Sequence, residues 1–429
     1  MRSNGRQTVL TVARILLGTA LVISGFTKAI DPKGTLYKLQ EYTNAIRWES
    51  AFGDAVFINF AVLLSAAEFI IGVSLLVGAH RRLTSAMAMA LMALMTVMTL
   101  WLWIANPVSD CGCFGDAIRL TNGQTLLKNV VLLAAAVFVW RFHRDIIPLP
   151  SVTARRLMIH GSLLYVLLIA AYAIYRLPLI DFRPYHVDTN IRQAMAIPEG
   201  KDAPQFETTF ILEKDGQLRE FTLEEYPDST WTFVDSKTVK TKEGYQPPIH
   251  DFNITLQETG EDITEQVITH QGPVLLLIMY NLDKAQQYNY AEINNIYEHA
   301  KRHHVPFYCL TAGTAEQVVK WQKLTAAAYP FATTDETTLK TMIRSNPGLM
   351  LINSGIILAK WSNNNLPDPK EAIKPQQRQN SPIVQTALVL TPWLLFMLLA
   401  AGITLLAFKK EEKKVRNEET PITSDTSKK

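Results

Sequence analysis

Two cysteines separated by one glycine, Cys111-Gly112-Cys113, stand just past the end of a long apolar run, Ala86–Ala105. The chain of 429 residues holds 3 cysteines, so a pair at this spacing is its strongest chemical signal. A disulfide closed across a single residue makes a small, strained ring, and strain leaves such a bond more oxidising and easier to reduce. Glycine suits the turn because it accepts a positive φ. A loop that short adds little entropic stabilisation. Two readings of Cys111 and Cys113 stay open: a redox pair for thiol–disulfide exchange, or an inert link that pins the loop. Two cysteines are too few for structural zinc. No other spacing in the chain suggests a metal site, a phosphate loop or a Ser/His/Asp triad.

The next signals are charges inside apolar stretches. Glu68 falls near the middle of Val56–Ala79, where an ionisable group is costly and faces a partner or a cavity. Arg14 lies ~7 Å into Val9–Ile30 at 1.5 Å per residue, and its long side chain is expected to reach toward Glu68. The pair orients two helices in one reading; in the other, Glu68 is a proton acceptor beside a quinone or substrate pocket. Lys28, near the other end of the first run, is expected to snorkel to the interface. Trp101 and Trp103 read as interfacial aromatics. Cys309, within Val305-Pro-Phe-Tyr-Cys-Leu310, reads as core. Gly18, Gly25 and Gly72 allow close helix approach.

These residues need a membrane scaffold, and the composition supplies one. Hydrophobic residues make up 48% and charged residues 19%, too apolar for a soluble enzyme and too polar for a pure membrane bundle. The net charge of +3 gives no nucleic-acid signal. Apolar runs near the ~20 residues that span a bilayer occur at Val9–Ile30, Val56–Ala79, Ala86–Ala105, Thr125–Trp140, Leu157–Leu177 and Ile383–Phe408. The fourth is the shortest and carries Lys128. With all six counted, the basic segments Met1–Arg6, His80–Arg82, Arg141–Arg156 and Lys409–Arg416 fall on one side. The positive-inside rule then places both termini in the cytoplasm, and Cys111, Cys113 and Pro178–Pro382 outside it, where disulfides persist.

The expected organisation is a five-span membrane domain at 1–178, a β-rich segment at 179–246, an α/β domain at 247–366, a proline-containing linker at 367–382, a last span at 383–408 and a charged, disordered tail at 409–429. Pro32–Phe52 has helical spacing and reads as an amphipathic surface helix. Gln205–Leu212 and Gln217–Thr222 flank Lys214-Asp-Gly216 as a hairpin. Tyr226–Tyr245 is polar and uninformative. From Pro247 onward, strands alternate with helices: buried strands at Val274–Tyr280 and Val305–Leu310, helices at Asn289–His303, Thr314–Leu324 and Glu336–Ile343, and a closing hairpin, Leu349–Asn353 with Ile356–Trp361. That order predicts a mixed central sheet.

Arg14-Ile-Leu-Leu-Gly18, Ser24-Gly-Phe-Thr-Lys28 followed by Asp31-Pro32, Glu68 and above all Cys111-Gly-Cys-Phe-Gly115 resemble the DoxX/MauE group of polytopic membrane proteins over roughly residues 8–142. The resemblance implies maturation of a disulfide-rich partner, as for methylamine utilisation MauE, or quinone-linked electron transfer, as for DoxX. Pro248-Ile-His-Asp-Phe252 through Trp361 resembles thioredoxin-fold proteins, with Pro347 in the place of their loop proline, usually cis. Where that family carries Cys-x-x-Cys, this chain reads Tyr280-Asn-Leu-Asp-Lys-Ala-Gln286, so a docking role is expected in place of thiol catalysis.

The expected protein is therefore a membrane α-helical bundle of the DoxX type, with an extracytoplasmic α/β thioredoxin-like domain and six transmembrane helices in total. Its expected partners are the bilayer and an extracytoplasmic protein, and quinone enters as a cofactor by family analogy alone. The alternative is a non-enzymatic scaffold or small-solute carrier whose soluble domain is a binding module.

Overall fold

The computed structural model describes residues 4–46, 53–108, 111–118, 120–203, 205–214, 217–222, 227, 230–242, 244–374 and 381–418. The Asp215-Gly216 turn, residues 47–52 of the expected surface helix and residues 419–429 lie outside them. The chain divides into two compact units, Met1–Arg183 with Gln379–Lys429, and Pro184–Arg378.

The first unit is a helical bundle. Helices α1 (Asn4–Ile30), α3 (Asp54–Val77), α4 (Arg81–Ala105), α5 (Asn122–Arg141) and α6 (Val152–Tyr175) are long and apolar enough to cross a membrane, and the C-terminal helix supplies the sixth such segment, Pro382–Gly402. The short α2 (Pro32–Ala45) starts at Asp31, whose carboxylate accepts from the Gly34 N–H, with Pro32 at the first helical position where its missing donor costs nothing. The least secure expected span, α5, is a full helix of 20 residues. It begins in a reciprocal capping box between Thr121 and Gln124.

Small residues decide the tightest packing, between α1 and α3. A Cβ at Gly25 would lie 2.5 Å from the Phe69 nitrogen, and one at Gly72 would lie 2.7 Å from the Gly18 carbonyl oxygen. Only glycine lets these antiparallel backbones touch. Phe69, Val73, Phe26, Met158 and Val166 fill the adjoining core.

The second unit holds two sheets. Strands β1 (Gln205–Lys214), β2 (Gln217–Thr222) and β3 (Thr232–Lys242) form an antiparallel sheet in the order β2-β1-β3. The third strand falls in the segment that looked uninformative, because its polar residues give no apolar alternation strong enough to announce it.

The larger sheet has the order β4-β7-β6-β5-β8-β9, built from β4 (Thr255–Leu256), β5 (Pro273–Met279), β6 (Phe307–Thr311), β7 (Phe331–Thr333), β8 (Gly348–Asn353) and β9 (Ile356–Ser362). Strands β5, β6 and β7 run parallel; β8 runs antiparallel to β5 and to β9. The α/β thioredoxin-like arrangement expected from the sequence is present. Helices at Tyr290–Arg302, Ala315–Thr325 and Glu336–Met342 accompany the strands. Leu275, Leu277, Ile293, Ile296, Trp321 and Leu351 share the core.

Two expectations change at the C-terminal end. The start of the expected linker belongs to this core: Pro369–Ala372 is a helical turn, Ala372 is fully buried, and Leu366 and Ile373 pack beside it. The C-terminal helix runs from Pro382 to Glu418, so the first ten residues of the expected disordered tail are helical. Its Lys, Glu and Arg residues are good helix formers, and an established helix propagates through them.

Candidate functional site: the Cys111–Cys113 loop

The loop joining α4 to α5 turns at Gly112, whose φ of +59° is the left-handed conformation that glycine adopts freely. Lys38 of α2 closes over it, with a methylene 2.9 Å from where a Cβ would lie. The turn brings the Cys111 and Cys113 sulfurs to 2.7 Å, both as free cysteines. The Cys113 N–H donates to the Cys111 sulfur at 3.3 Å, and Thr125 Oγ1 lies 3.4 Å from it.

Three elements grip the loop backbone. From α2, the Tyr42 hydroxyl donates to the Cys111 carbonyl at 2.5 Å. From α1, the Ser24 hydroxyl and the Lys28 ammonium donate to the Cys113 carbonyl at 2.9 and 2.7 Å. From α5, the Asn122 amide donates to the Val108 carbonyl at 2.8 Å. The pair is thus clamped chiefly through its backbone carbonyls.

Lys28 is the hub. Besides the Cys113 carbonyl, it donates to Ser24 Oγ at 2.7 Å and to Glu68 Oε2 at 2.8 Å, so an ammonium with three donors has three acceptors. Lys28 is 6% exposed and Glu68 2%. The expected Arg14–Glu68 pair does not form, and Lys28 does not snorkel outward. Arg14 Nη1 instead donates to the Ile147 carbonyl, 3.1 Å away, in the loop before α6. The reason is directional: side chains lean toward the N-terminus of their own helix. On antiparallel α1 and α3, Lys28 therefore leans into the bundle and Glu68 leans toward the cysteine loop.

Electrostatics separate the two thiols. Cys111 is held below the ordinary thiol value, at about 6, first by its hydrogen bond with Cys113, helped by Thr125, the Cys113 N–H and the positive charge of Lys128. Cys113 is pushed well above that value, first by its bond to the Cys111 sulfur and then by burial. Lys128, whose ammonium sits 4.2 Å from the Phe114 ring centroid, is the cation on this side of the loop. Its place in an apolar run was the signal, and reading it as a weakness of the fourth span hid its use.

Under the loop lies a cavity of about 30 Å³ lined by Ser24, Lys28, Glu68, Cys113, Lys128 and Asn129 among others. One water needs ~10–15 Å³ on this measure, so it has room for a water or two. Ligand pockets run to ~300–1,000 Å³. A quinone ring does not fit this cavity, and the chemistry below uses none.

The other sequence-predicted positions, Pro347 and Cys309, belong to the second unit. The Asn346–Pro347 peptide is cis, and the Asn346 amide and carbonyl bond to Asn281 and Gln286 in the segment where a Cys-x-x-Cys would fall. That segment holds no sulfur; Leu282 and Ala285 fill the core there. Cys309 is fully buried in β6, and burial pushes its thiol up, so it is inert toward exchange.

The cysteine loop, the Lys28–Glu68 pair and the glycine-packed α1–α3 contact all fall in one matched stretch. Residues 6–142 match the family model of methylamine utilisation protein MauE. The matched stretch runs from α1 to the end of α5. Residues 206–243, which hold the three-stranded sheet, match a domain of unknown function, DUF8463. Among solved structures, the chain is similar to a solution structure from Bacteroides thetaiotaomicron of a protein described as a protein disulfide isomerase. The two are 18% identical over 27% of this chain and 77% of that one, with a TM-score of 0.22. No curated protein matches the chain.

Proposed function

We propose that this multi-pass membrane protein exchanges its Cys111–Cys113 disulfide with the dithiol of an extracytoplasmic partner protein. The observation that carries the reading is the pair itself: two sulfurs 2.7 Å apart on a clamped loop, one thiol shifted down and the other up. In the exchange, a partner thiolate attacks Cys111 Sγ, the Cys111–Cys113 bond breaks, and Cys113 leaves as a thiolate and takes up a proton. The second partner thiolate then attacks the sulfur joined to Cys111, and Cys111 leaves as a thiolate. One disulfide forms as one breaks, with two electrons passing to this chain. A stabilised Cys111 thiolate favours the reduced pair, which makes the disulfide form the better oxidant.

Both termini are placed in the cytoplasm by the positive-inside rule, so the loop and the thioredoxin-like domain are outside it. That domain, lacking sulfur at its usual position, docks the partner.

The test is trapping in intact cells. Cys113→Ser should accumulate a mixed disulfide through Cys111, resolved by non-reducing electrophoresis, whereas Cys111→Ser should accumulate none. A membrane-impermeant maleimide should reach Cys111 from outside after mild reduction. Equal trapping by both variants, or labelling only after the cells are opened, would sink the reading.

A further inference from the structure

At the end of the bundle remote from the cysteines, two loops meet. Gly78–His80 joins α3 to α4, whose first turn carries Arg81 and Arg82, and His143–Asp145 follows α5 as a single 3-10 turn. Arg81 Nη1 donates to the Arg144 carbonyl at 3.2 Å and to the Ile146 carbonyl at 3.0 Å, which pins one loop to the other. The junction leaves an open pocket of about 430 Å³, lined by His80, Arg81, Arg82, Leu83, His143 and Arg144. That volume is in the range of ligand sites, ~300–1,000 Å³.

Its charge is one-sided. Three arginines and two histidines line it, and no carboxylate does. The nearest acid in sequence, Asp145, is paired with Arg6 at 3.0 Å. Arg81 spends part of its guanidinium on the loop carbonyls. The side chains of Arg82 and Arg144 have no hydrogen bond or ion pair among the described residues, and both are exposed. Charges that only set orientation need no concavity; here a cross-loop hydrogen bond gathers them around one.

The position selects the ligand. The pocket sits where α4 begins and just past the end of α5, both spans, so it lies at headgroup level. Its one apolar lining residue, Leu83, is 61% exposed, and Ile147, next to Ile146, is 68% exposed. An anion with an attached acyl chain satisfies both features, and basic pockets between spanning helices bind such headgroups. We propose that this pocket binds the phosphate of an anionic phospholipid, with Arg82 and Arg144 as its ligands and Leu83 against the acyl chain. The inference is independent of the cysteine chemistry.

The full chain, purified in a neutral detergent, is titrated with dioleoyl phosphatidylglycerol, with dioleoyl phosphatidylcholine, and separately with inorganic phosphate. Native mass spectrometry counts retained lipid, and thermal unfolding gives the shift in Tm. Phosphatidylglycerol should be retained and should raise Tm; phosphatidylcholine should do neither. Arg82→Gln with Arg144→Gln should weaken phosphatidylglycerol binding on the order of tenfold. A matched control, Lys409→Gln with Lys410→Gln, should leave it unchanged. Arg82→Gln alone, at an exposed position with no partner to lose, serves if the double variant fails to fold, and should weaken binding by several-fold. Equal weakening in the control would reduce the effect to general charge attraction and overturn the site. Unchanged binding in the arginine variants would do the same. Protection by inorganic phosphate matching that of the lipid would make it a free-phosphate site and overturn the lipid assignment.

Discussion

The two units of this chain divide what a thiol oxidoreductase usually keeps together. The second unit has the thioredoxin-like sheet and the cis-proline loop, yet a run from Tyr280 to Gln286 with no sulfur. The helical unit has no sheet among its described residues, yet it presents two thiols 2.7 Å apart on a glycine turn. Chemistry follows side chains and their surroundings, and the fold is only a way of holding them. In the bundle the holding is done by Tyr42, Ser24, Lys28 and Asn122 acting on backbone carbonyls.

The contrast is broken most directly by removing the sulfur. Cys111→Ser with Cys113→Ser should abolish disulfide exchange completely, with normal expression and unfolding; retained exchange would place the chemistry elsewhere. Next in size is the hub. Removing one partner of a buried pair leaves the other charge uncompensated, so Glu68→Gln or Lys28→Met should each destabilise the first unit by about 3–5 kcal/mol. The double variant, read by thermal unfolding in detergent, should lose less than the two singles summed. Gly72→Ala should cost about 1–3 kcal/mol through overpacking between α1 and α3, and a neutral result would contradict the close approach.

A pH profile sharpens the comparison further. Because the Cys111 thiol is held down to about 6, its thiolate dominates at neutral pH, and alkylation should slow as pH falls through about 6. Lys128→Gln should move that midpoint upward, since Lys128 is one of the groups that stabilise the thiolate. The smallest expected effect is in the other unit: Cys309→Ala should leave exchange and the alkylation profile unchanged, because Cys309 is fully buried.

What the sequence disclosed follows from how local each signal is. The six spans were legible because a bilayer imposes one length and one polarity on every crossing helix. Strands β5, β6, β8 and β9 were legible as apolar runs bounded by turns. The strand β3 was not, since its residues are polar and its placement is set by pairing with β1. Cys111 and Cys113 announced themselves through a spacing of two. Lys28 and Glu68 are forty residues apart, and choosing Lys28 over Arg14 required the lean of side chains on antiparallel helices. Tyr42, Asn122 and Thr125 carry no chemical signature of their own; only the folded loop gives them a task.

The C-terminal helix has a practical consequence. Its apolar run ends at Phe408, while the helix continues to Glu418. Ten further residues at ~1.5 Å each rise roughly 15 Å, about half a bilayer core in height. A fluorophore or epitope placed near Glu418 would therefore stand clear of the lipid on a stiff mast. From there it would report which compartment receives the end of the sixth span, without disturbing either folded unit.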